Sequence, residues 1–587
     1  MTHPAAVRTA RPLDGVSLRT AGPPALVGLA AHHLELLGCH RHATAYGTGA
    51  GVISLDGTTR AEIAWARESP AEEVCDEATA QAATGVMHVH GRSRGEPRGL
   101  AADYLTTACA LLTVQGLLAA RLGRLRGAEV SQVRMGVDLA GLLAVSQYLA
   151  AATAEDPEAV PIAPGGPPFT TSDGVIFEAE TLDPGVWVAF WRALGVPGRV
   201  AGAAWRSFQF RYATACSPLP VDLHERARAA TWSEVRRAAR ESGASVCPLT
   251  SLADRLAEPA PETPWRLSLR QPGGPASARV PETPRPLAGF TVLEAGRRIQ
   301  APLTAHILGL LGADVIRVEP PGGDPLRGMP PTCGGVSARW LALNRGKKAV
   351  EIDIKSAPGR GELRELASAA DVFVHNWAPG TAERLGLDDD DLARVNPGLV
   401  YAYTSGWAGR LADAPLGTDF MVQARTGVGE AVRPGGEPPA PSLMTLLDVL
   451  GGLLGAEAVL AGLLLRERTG AGVRVDSSLL GAAEVLTAPA SRRAGAGLDP
   501  RAPGGFRRPA PTADGWVAVA DDCAAHAPEI PREAATAEAV ALLRRHGLRG
   551  TAVTTSLDAL PSDPRFASAL SRDDHGAIVV PVPWRFA

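Results

Sequence analysis

The sequence has few of the features that mark metal-binding, dinucleotide-binding or secreted proteins. Its seven cysteines are scattered, and none forms a CxxC pair or the spacing of a zinc site, so we expect reduced thiols and no metal centre. It has no GxGxxG motif, so nothing supports a nicotinamide dinucleotide site. Residues 1–8 contain no apolar signal core, and we expect a cytoplasmic protein.

Charge and hydropathy exclude further partners. The chain has 587 residues and a formal net charge of −4, which gives no general attraction to nucleic acid or to an anionic membrane. Its longest apolar run, 443–465, has the length of a membrane span. That run contains Asp448, Glu457 and four glycines, so we predict a helix buried in the core of a globular protein.

The chain contains an internal repeat. Arg11-Pro-Leu-Asp-Gly15 returns as Arg285-Pro-Leu-Ala-Gly289, and short matches continue in the same order as far as the Pro-Trp-Arg sequences at 264–266 and 583–585. We therefore predict a tandem duplication, with copy one at 11–268 and copy two at 285–587. A Pro/Gly-rich linker is predicted between them at 269–284.

The spacing between the copies changes inside the repeat. The offset is 274 as far as Gly38 and Gly312 and 342 from Gln81 and Gln423, so copy one lacks 68 residues between these points. In copy two that stretch alternates predicted strands with predicted helices, which is typical of a parallel α/β sheet. Ligands bind beyond the carboxyl ends of such strands, and we place candidate sites in the loops after 375 and 404.

An acidic residue opens the long apolar helix of copy two. Asp448 lies at its start, and Gly451 and Gly452 follow. The helix dipole favours an ionised carboxylate there, and the glycine N–H groups can approach an oxyanion, so we predict a nucleophile and an oxyanion site. The alternative is an ordinary helix cap, a role that Asp commonly takes. In copy one, Asp103 matches Asp448 at an offset of 345, and we expect it to be only a cap.

Two turns and several basic residues are candidate phosphate contacts. The turn 294–302 follows a predicted strand and opens a helix, so its free N–H groups and Arg298 can hold an anion. The turn that begins at Asn376 and Trp377 follows another strand, and its indole can seat an aromatic base. Lys355 and Arg384 supply charges that suit phosphate. Ordinary turns and solvated surface charges are the alternatives.

Longer stretches of copy two resemble the family III CoA transferases, the group of formyl-CoA transferase, carnitine CoA-transferase and α-methylacyl-CoA racemase. The matching stretches are Pro286-Leu-Ala-Gly-Phe-Thr-Val-Leu-Glu, Leu311-Gly-Ala-Asp-Val-Ile-Arg-Val-Glu-Pro, Leu343-Asn-Arg-Gly-Lys-Lys, Asn376-Trp-Ala-Pro-Gly with Glu383-Arg-Leu-Gly-Leu, Val395-Asn-Pro-Gly-Leu-Val-Tyr, and Arg466-Glu-Arg-Thr-Gly-Ala-Gly. The resemblance implies that Asp448 attacks an acyl-CoA thioester. It also implies coenzyme A contacts, to which we add the basic Lys355; the full set is Arg298, Ala301, Lys355, Asn376, Trp377 and Arg384.

For the fold, the resemblance implies two similar units. Each would have a Rossmann-like parallel sheet domain, truncated in copy one, and a smaller α+β domain. The two units would interlock as an internal pseudo-dimer. We accordingly expect a monomer that acts as a pseudo-dimer, or a homodimer.

The expected activity is transfer of CoA between an acyl-CoA and a carboxylic acid. It would proceed through an aspartyl mixed-anhydride and thioester intermediate, with coenzyme A as a substrate and no tightly bound cofactor. The racemase branch has a His at the centre of the triplet that reads Gly417-Thr418-Asp419 in this chain. Because Thr418 stands there instead, racemisation is disfavoured. Asp419 is a candidate for orienting the acceptor. A lyase or isomerase of the same family and a non-catalytic CoA-binding protein are the alternatives. We expect one CoA per chain, because the 68 residues that copy one lacks would carry the contacts.

Overall fold

The computed structural model describes residues 11–42, 47, 49–70, 72–259, 263–272 and 285–587. In copy one a larger domain is followed by a smaller one and by a final strand. The elements of the larger domain are β1 (Ser17–Ala21), α1 (Pro24–Leu36), β2 (His40–Arg41), β3 (Gly51–Leu55), β4 (Thr59–Ala64), α2 (Glu77–Ala83), α3 (Val86–Gly91), α4 (Tyr104–Leu125), β5 (Gln132–Gly136), α5 (Val137–Ala144) and α6 (Ser146–Ala152). The remaining elements are β6 (Phe169–Thr170), β7 (Ile176–Glu180), α7 (Pro184–Ala193), α8 (Gly198–Gln209), α9 (Arg211–Thr214), α10 (Val221–Ala229), α11 (Trp232–Ser242), β8 (Ser245–Pro248), α12 (Leu252–Leu256) and β9 (Arg266–Pro272).

Copy two repeats this order with a longer first part. Its larger domain contains β10 (Thr291–Ala295), α13 (Gln300–Leu310), β11 (Asp314–Glu319), β12 (Thr332–Cys333), β13 (Val336–Ser337), α14 (Ala338–Asn344), β14 (Lys348–Glu351), α15 (Ala357–Ala369), β15 (Val372–His375), α16 (Thr381–Leu385), α17 (Asp389–Ala393), β16 (Val400–Ser405), α18 (Asp419–Arg425), α19 (Val428–Ala431), α20 (Leu446–Thr469), β17 (Ala471–Ser478) and α21 (Leu479–Gly495). The rest comprises β18 (Ala510–Pro511), β19 (Trp516–Val519), α22 (Thr536–Arg545), β20 (Gly550–Ala552), β21 (Ser571–Arg572), β22 (Ile578–Val579) and β23 (Arg585–Phe586). Short 3-10 helices lie at Arg92–Arg94, Pro325–Gly328, Asp521–Glu529 and Leu560–Ser562.

The sheet of copy two is the predicted parallel α/β sheet. Its strand order is β14-β11-β10-β15-β16-β17-β9, and every pair is parallel except β17 with β9. All four residues of β15 are buried, as expected for a strand covered by helices on both faces. The carboxyl ends of β10, β14 and β15 therefore meet at one edge of the sheet.

The missing residues change the sheet of copy one from parallel to mixed. Its order is β2-β1-β3-β4-β5-β23, with β1–β3 and β3–β4 antiparallel. The hairpin of β3 and β4 occupies the two places that β15 and β16 hold in copy two. A two-strand hairpin needs no crossover helix, so it fills the sheet with far fewer residues. The larger domain of copy one is truncated as predicted, but its sheet is not purely parallel.

Each copy contributes its last strand to the sheet of the other copy. Strand β9 of copy one pairs antiparallel with β17, and β23 of copy two pairs antiparallel with β5. The two copies are interlocked in this sense. The predicted linker at 269–284 needs correction, because its first four residues belong to β9; the other twelve, 273–284, lie outside the described residues.

Two long apolar helices form the centre of the molecule. Helices α4 and α20 have the length and composition of membrane spans, but 94% of the most apolar window of each is buried inside the protein. The prediction of a buried core helix is therefore confirmed by the packing of α20. The Gln115 amide of α4 donates a hydrogen bond to the Leu453 carbonyl of α20 at 2.7 Å.

The two smaller domains differ in size. In copy one, β6, β7 and β8 form an antiparallel sheet, packed on α7, α8, α10 and α11 around buried aromatic rings that include Trp187, Trp191 and Phe208. In copy two, β18, β19 and β20 pack on α22 around a smaller apolar cluster. The smaller domain of copy two thus has fewer helices among the described residues than that of copy one.

Candidate active site

Asp448 lies third in α20 and faces a pocket between the two copies. Residues 441–447, 449 and 450 are buried, and Asp448 alone in this stretch is only half-buried. The pocket is an open cleft of about 480 Å³, a volume that includes space open to solvent, and it is lined by both copies. Copy one lends Glu180, Thr181, Leu182, Trp205, Gln209, Arg211 and Tyr212, and copy two lends Arg298, Thr418, Asp419, Phe420, Thr445 and Asp448. The smaller domain of copy one therefore completes the site of copy two.

Asp419 fixes the start of α20. It is the first residue of α18, it is 3% exposed, and its Oδ2 accepts a hydrogen bond from the Asp448 backbone N–H at 2.7 Å. Gln423, one turn later, accepts from the Ser442 N–H at 2.8 Å and donates to the Ser442 carbonyl at 3.0 Å. These bonds hold the segment before α20, so Asp419 positions Asp448 through its backbone.

Burial sets the protonation of the two acids. It raises the pKa of Asp448 to about 6, with Arg298 acting to lower that pKa and Glu180 to raise it. The pKa of Asp419 lies well above its ordinary value, because of burial and the neighbouring Asp448 carboxylate. With a pKa of about 6, Asp448 is mostly ionised at neutral pH.

Arg298 sits on a strained turn after β10. Its φ is +60°, a left-handed conformation that a non-glycine residue adopts only when its surroundings impose it. The Asn376 side chain imposes it, because its Oδ1 accepts from the Arg297 N–H at 2.8 Å and its Nδ2 donates to the Arg297 carbonyl at 2.9 Å. The Arg298 guanidinium carbon lies 5.5 Å from the ring centroid of Tyr212 in copy one. Asn376 thus braces the turn that presents Arg298 to the pocket.

The other predicted coenzyme A contacts lie outside this pocket. Lys355 is exposed on a turn and Arg384 is exposed in the short helix α16, where it donates to the Thr381 hydroxyl at 2.9 Å. Trp377 is only 7% exposed, with its ring packed against Phe373 and His375. Its burial argues against an open platform for a base.

Ala301 also needs correction as a contact. It has no exposed surface, and its methyl group packs where a side chain on Gly296 would collide with it at 2.7 Å. Its role in the structure is close packing of α13 on the turn after β10. Two further cations of this region already form ion pairs within the protein, because Arg317 and Lys347 both pair with Glu294.

The predicted oxyanion role of Gly451 and Gly452 is wrong. Both lie inside α20, so their N–H groups point along the helix to carbonyls four residues earlier. A Cβ on Gly451 would lie 2.9 Å from Leu479 and 3.0 Å from Gln300, and one on Gly452 would lie 2.9 Å from Leu303. The glycines therefore allow α13 and α20 to pack closely.

Copy one retains the hydrogen bonds that hold the start of the long helix, but it lacks the nucleophile. Glu77 opens α2 as Asp419 opens α18, and its Oε2 accepts from the Thr106 backbone N–H at 2.8 Å. Gln81 accepts from the Leu100 N–H at 2.8 Å, the bond that Gln423 makes to Ser442. The residues that make these bonds in copy one lie 342 positions before their equivalents in copy two. The offset of 342 therefore continues into the helix, and Thr106 occupies the place of Asp448.

The predicted match of Asp103 to Asp448 is therefore shifted by about one helical turn. Asp103 does stand at the N-cap position of α4, but its side chain makes no capping bond. It accepts instead from Arg507 of copy two at 2.7 Å, and Arg507 also pairs with Asp521 at 2.8 Å. Arg507 is 3% exposed, so this ion pair fills the region that corresponds to the pocket of copy two.

Sequence analysis predicted an internal pseudo-dimer but named no residue of copy one as part of the site. Glu180, Arg211 and Tyr212 were missed because they are far from Asp448 in sequence. One signal was available, since Glu178 and Glu180 interrupt the short apolar strand β7 and both are buried there. Buried carboxylates in an apolar strand need partners and often mark a site.

Comparison with known proteins identifies the family of the chain. The model of CoA-transferase family III matches residues 66–272 and 287–567, which is more than half of the chain. The chain belongs to CoA-transferase family III. The two matched segments agree with the tandem arrangement.

Curated relatives match about a third of the chain. The beta subunit of succinyl-CoA–L-malate CoA-transferase from Chloroflexus aurantiacus is 39% identical over 202 residues, which are 34% of this chain and 50% of the relative. Succinyl-CoA:glutarate CoA-transferase from Mus musculus is 36% identical over 203 residues, 33% of this chain and 46% of the relative. The chain thus spans about half the length of these relatives. A solved CAIB/BAIF family protein from Brucella suis is 27% identical with a TM-score of 0.45, over 51% of this chain and 93% of that protein.

Proposed function

We propose that the chain transfers CoA from an acyl-CoA to a carboxylic acid, with Asp448 as the nucleophile. The observation that supports this most directly is the half-buried Asp448 carboxylate, which faces a pocket built by both copies. Arg298 lines the same pocket, where it can balance the carboxylate and the charges that replace it.

The bond changes balance without a redox partner. The ionised Asp448 oxygen adds to the thioester carbonyl, and the carbon–sulfur bond breaks to give a mixed anhydride and CoA thiolate. The thiolate attacks the Asp448 carboxyl carbon, which releases the donor acid as its carboxylate and leaves an aspartyl–CoA thioester. The acceptor carboxylate then follows the same two steps in reverse. Asp448 returns ionised, and the acceptor leaves as the new acyl-CoA.

We also propose how the chain holds coenzyme A. Arg298 would face the thioester end of the molecule. Lys355 on a turn and Arg384 in α16 are exposed cations of copy two, and phosphates require such groups. Asn376 would act through the turn that carries Arg298, and Trp377 through the packing beneath its loop. A single chain contains both copies of the repeat, which together line one site, so a monomer suffices. A reducing compartment such as the cytoplasm fits the seven cysteines, which are all free thiols.

Trapping of the covalent intermediate tests this proposal. Incubation with a set of acyl-CoAs, followed by hydroxylamine and intact mass spectrometry, should give one hydroxamate per chain, located at Asp448 by peptide mapping. One is expected because Thr106 replaces the nucleophile in copy one and Arg507 fills its pocket. When a carboxylic acid is added, its own acyl-CoA should form as the donor acyl-CoA disappears, in equal amounts. Two hydroxamates per chain, or no acyl-CoA of any added acid, would contradict the proposal.

The pH profile should show the ionisation of Asp448. Because burial raises its pKa to about 6, kcat/KM should reach a plateau above that pH. Below it, kcat/KM should fall about tenfold per pH unit as the nucleophile is protonated. An acyl-pantetheine donor avoids titration of the CoA phosphate, whose second pKa is also about 6. Glu180→Gln should move this fall in kcat/KM to lower pH, because Glu180 raises the pKa of Asp448. A profile flat from pH 5 to 7 would be inconsistent with this assignment.

A further inference from the structure

Two cations, Arg211 and Arg298, belong to the described lining of the pocket. Arg211 already has an ion-pair partner. Arg211 is 3% exposed, and its Nη2 lies 3.0 Å from Glu180 Oε2, which also accepts from the Thr418 hydroxyl at 2.9 Å. The Arg211 guanidinium carbon lies 3.6 Å from the ring centroid of Phe208 and 4.7 Å from that of Phe420. The guanidinium is therefore enclosed by its ion pair and two aromatic rings.

A second acid near Arg211 does not change this balance. Glu178 Oε1 lies 3.8 Å from Arg211 Nη2, but neither carboxyl oxygen of Glu178 has a hydrogen-bond partner. Burial raises the pKa of Glu178 to about 8, so its carboxyl group is mostly neutral at pH 7. Arg211 and the ionised Glu180 form a neutral pair in the pocket wall.

Arg298 is left to face one negative charge at a time. In the resting chain that charge is on Asp448. When Asp448 is acylated it becomes neutral, and the charge moves to the thiolate or to the carboxylate that leaves or enters. The proposed reaction therefore conserves a single anion beside Arg298, and no second cation of the described lining is unpaired.

We propose that this site is specific for acyl groups without a charge of their own, that is, for monocarboxylic donors and acceptors. The inference rests on the proposed function. A dicarboxylic acyl group would place its second carboxylate in a pocket whose wall carries Glu180. The one unpaired cation of the described lining, Arg298, already faces the reacting anion. Charge repulsion and loss of hydration both disfavour that group. The relatives from Chloroflexus aurantiacus and Mus musculus are named for dicarboxylic substrates, so this property would separate the chain from them.

The test compares butyryl-CoA with succinyl-CoA, which have acyl chains of four carbons and differ in one terminal carboxylate. Formation of the trapped Asp448 hydroxamate should have a kcat/KM at least about tenfold higher for butyryl-CoA. In Glu180→Gln, Arg211 loses its ionised partner but the amide oxygen still accepts from Thr418. The succinyl-to-butyryl ratio of kcat/KM should then rise about tenfold or more.

Glu178→Gln is the matched control, because the amide resembles the neutral acid already present. It should leave the ratio within about twofold of the wild-type value, since the charge of the wall does not change. A wild-type preference for succinyl-CoA, or an unchanged ratio in a folded Glu180→Gln protein, would overturn the specificity but leave the proposed function in place. No hydroxamate with any donor would overturn both.

Discussion

Asp448→Asn is expected to abolish formation of the covalent intermediate and to lower CoA transfer by at least about a thousandfold. The amide has nearly the same size and keeps the backbone bond to Asp419, but it is not a nucleophile at the thioester carbon. Affinity for CoA should remain close to that of the wild type, because no part of the nucleotide depends on this side chain. Rapid-mixing kinetics and intact mass spectrometry measure the first effect, and calorimetry the second.

Asp103→Asn is the matched control for that variant. The same change is made at the start of the corresponding helix, where the side chain is 47% exposed and pairs with Arg507. Its turnover should equal that of the wild type, and its free energy of unfolding should fall by no more than about 1 kcal/mol. Equal loss of turnover in both variants would show that copy one carries a second nucleophile and would refute the assignment of one site per chain.

Trp377→Ala is expected to lower the free energy of unfolding by about 3–5 kcal/mol. Sequence analysis places Trp377 in a binding loop, where its loss would affect affinity alone. In the structure the indole is 7% exposed, and its ring centroid lies 4.7 Å from that of His375 and 5.9 Å from that of Phe373. Its removal would leave a cavity beneath the loop. Equilibrium denaturation with guanidinium measures the change.

Arg384→Ala provides the contrast from the same loop region. Its side chain is exposed and makes one bond to Thr381, so the free energy of unfolding should change by less than about 0.5 kcal/mol. Its affinity for CoA should nevertheless fall if Arg384 contacts a phosphate, as proposed. If both variants were as stable as the wild type, the packing of Trp377 described above would be wrong.

Much of the larger domain of copy two could be predicted from local pattern. The stretch of copy two in which the sequence predicts alternating strands and helices contains the apolar runs of β11 and β15. Such runs are buried on both faces of a parallel sheet, so their composition is nearly sufficient. The N-cap of α20 was misjudged by three residues, because Thr445 rather than Asp448 stands there.

The errors at the site share a physical cause. Gly451 and Ala301 were assigned chemistry from their position in sequence, whereas the packing of α13 against α20 decides what they contact. The register between Asp103 and Asp448 could be corrected only by the hydrogen bonds from Thr106 and Asp448 to Glu77 and Asp419. Those bonds join elements about 30 residues apart, and pattern within one helix does not reveal them.

The exchange of terminal strands has a consequence for how such a chain can evolve. Because β9 completes one sheet and β23 the other, neither half can be deleted without leaving the remaining half with an open sheet edge. Joining the halves also makes their pairing independent of protein concentration. Selection can then relax on the chemistry of the first half while its architecture is retained. A half that has lost its own nucleophile persists as an obligatory scaffold and as the source of one wall of its sister's pocket.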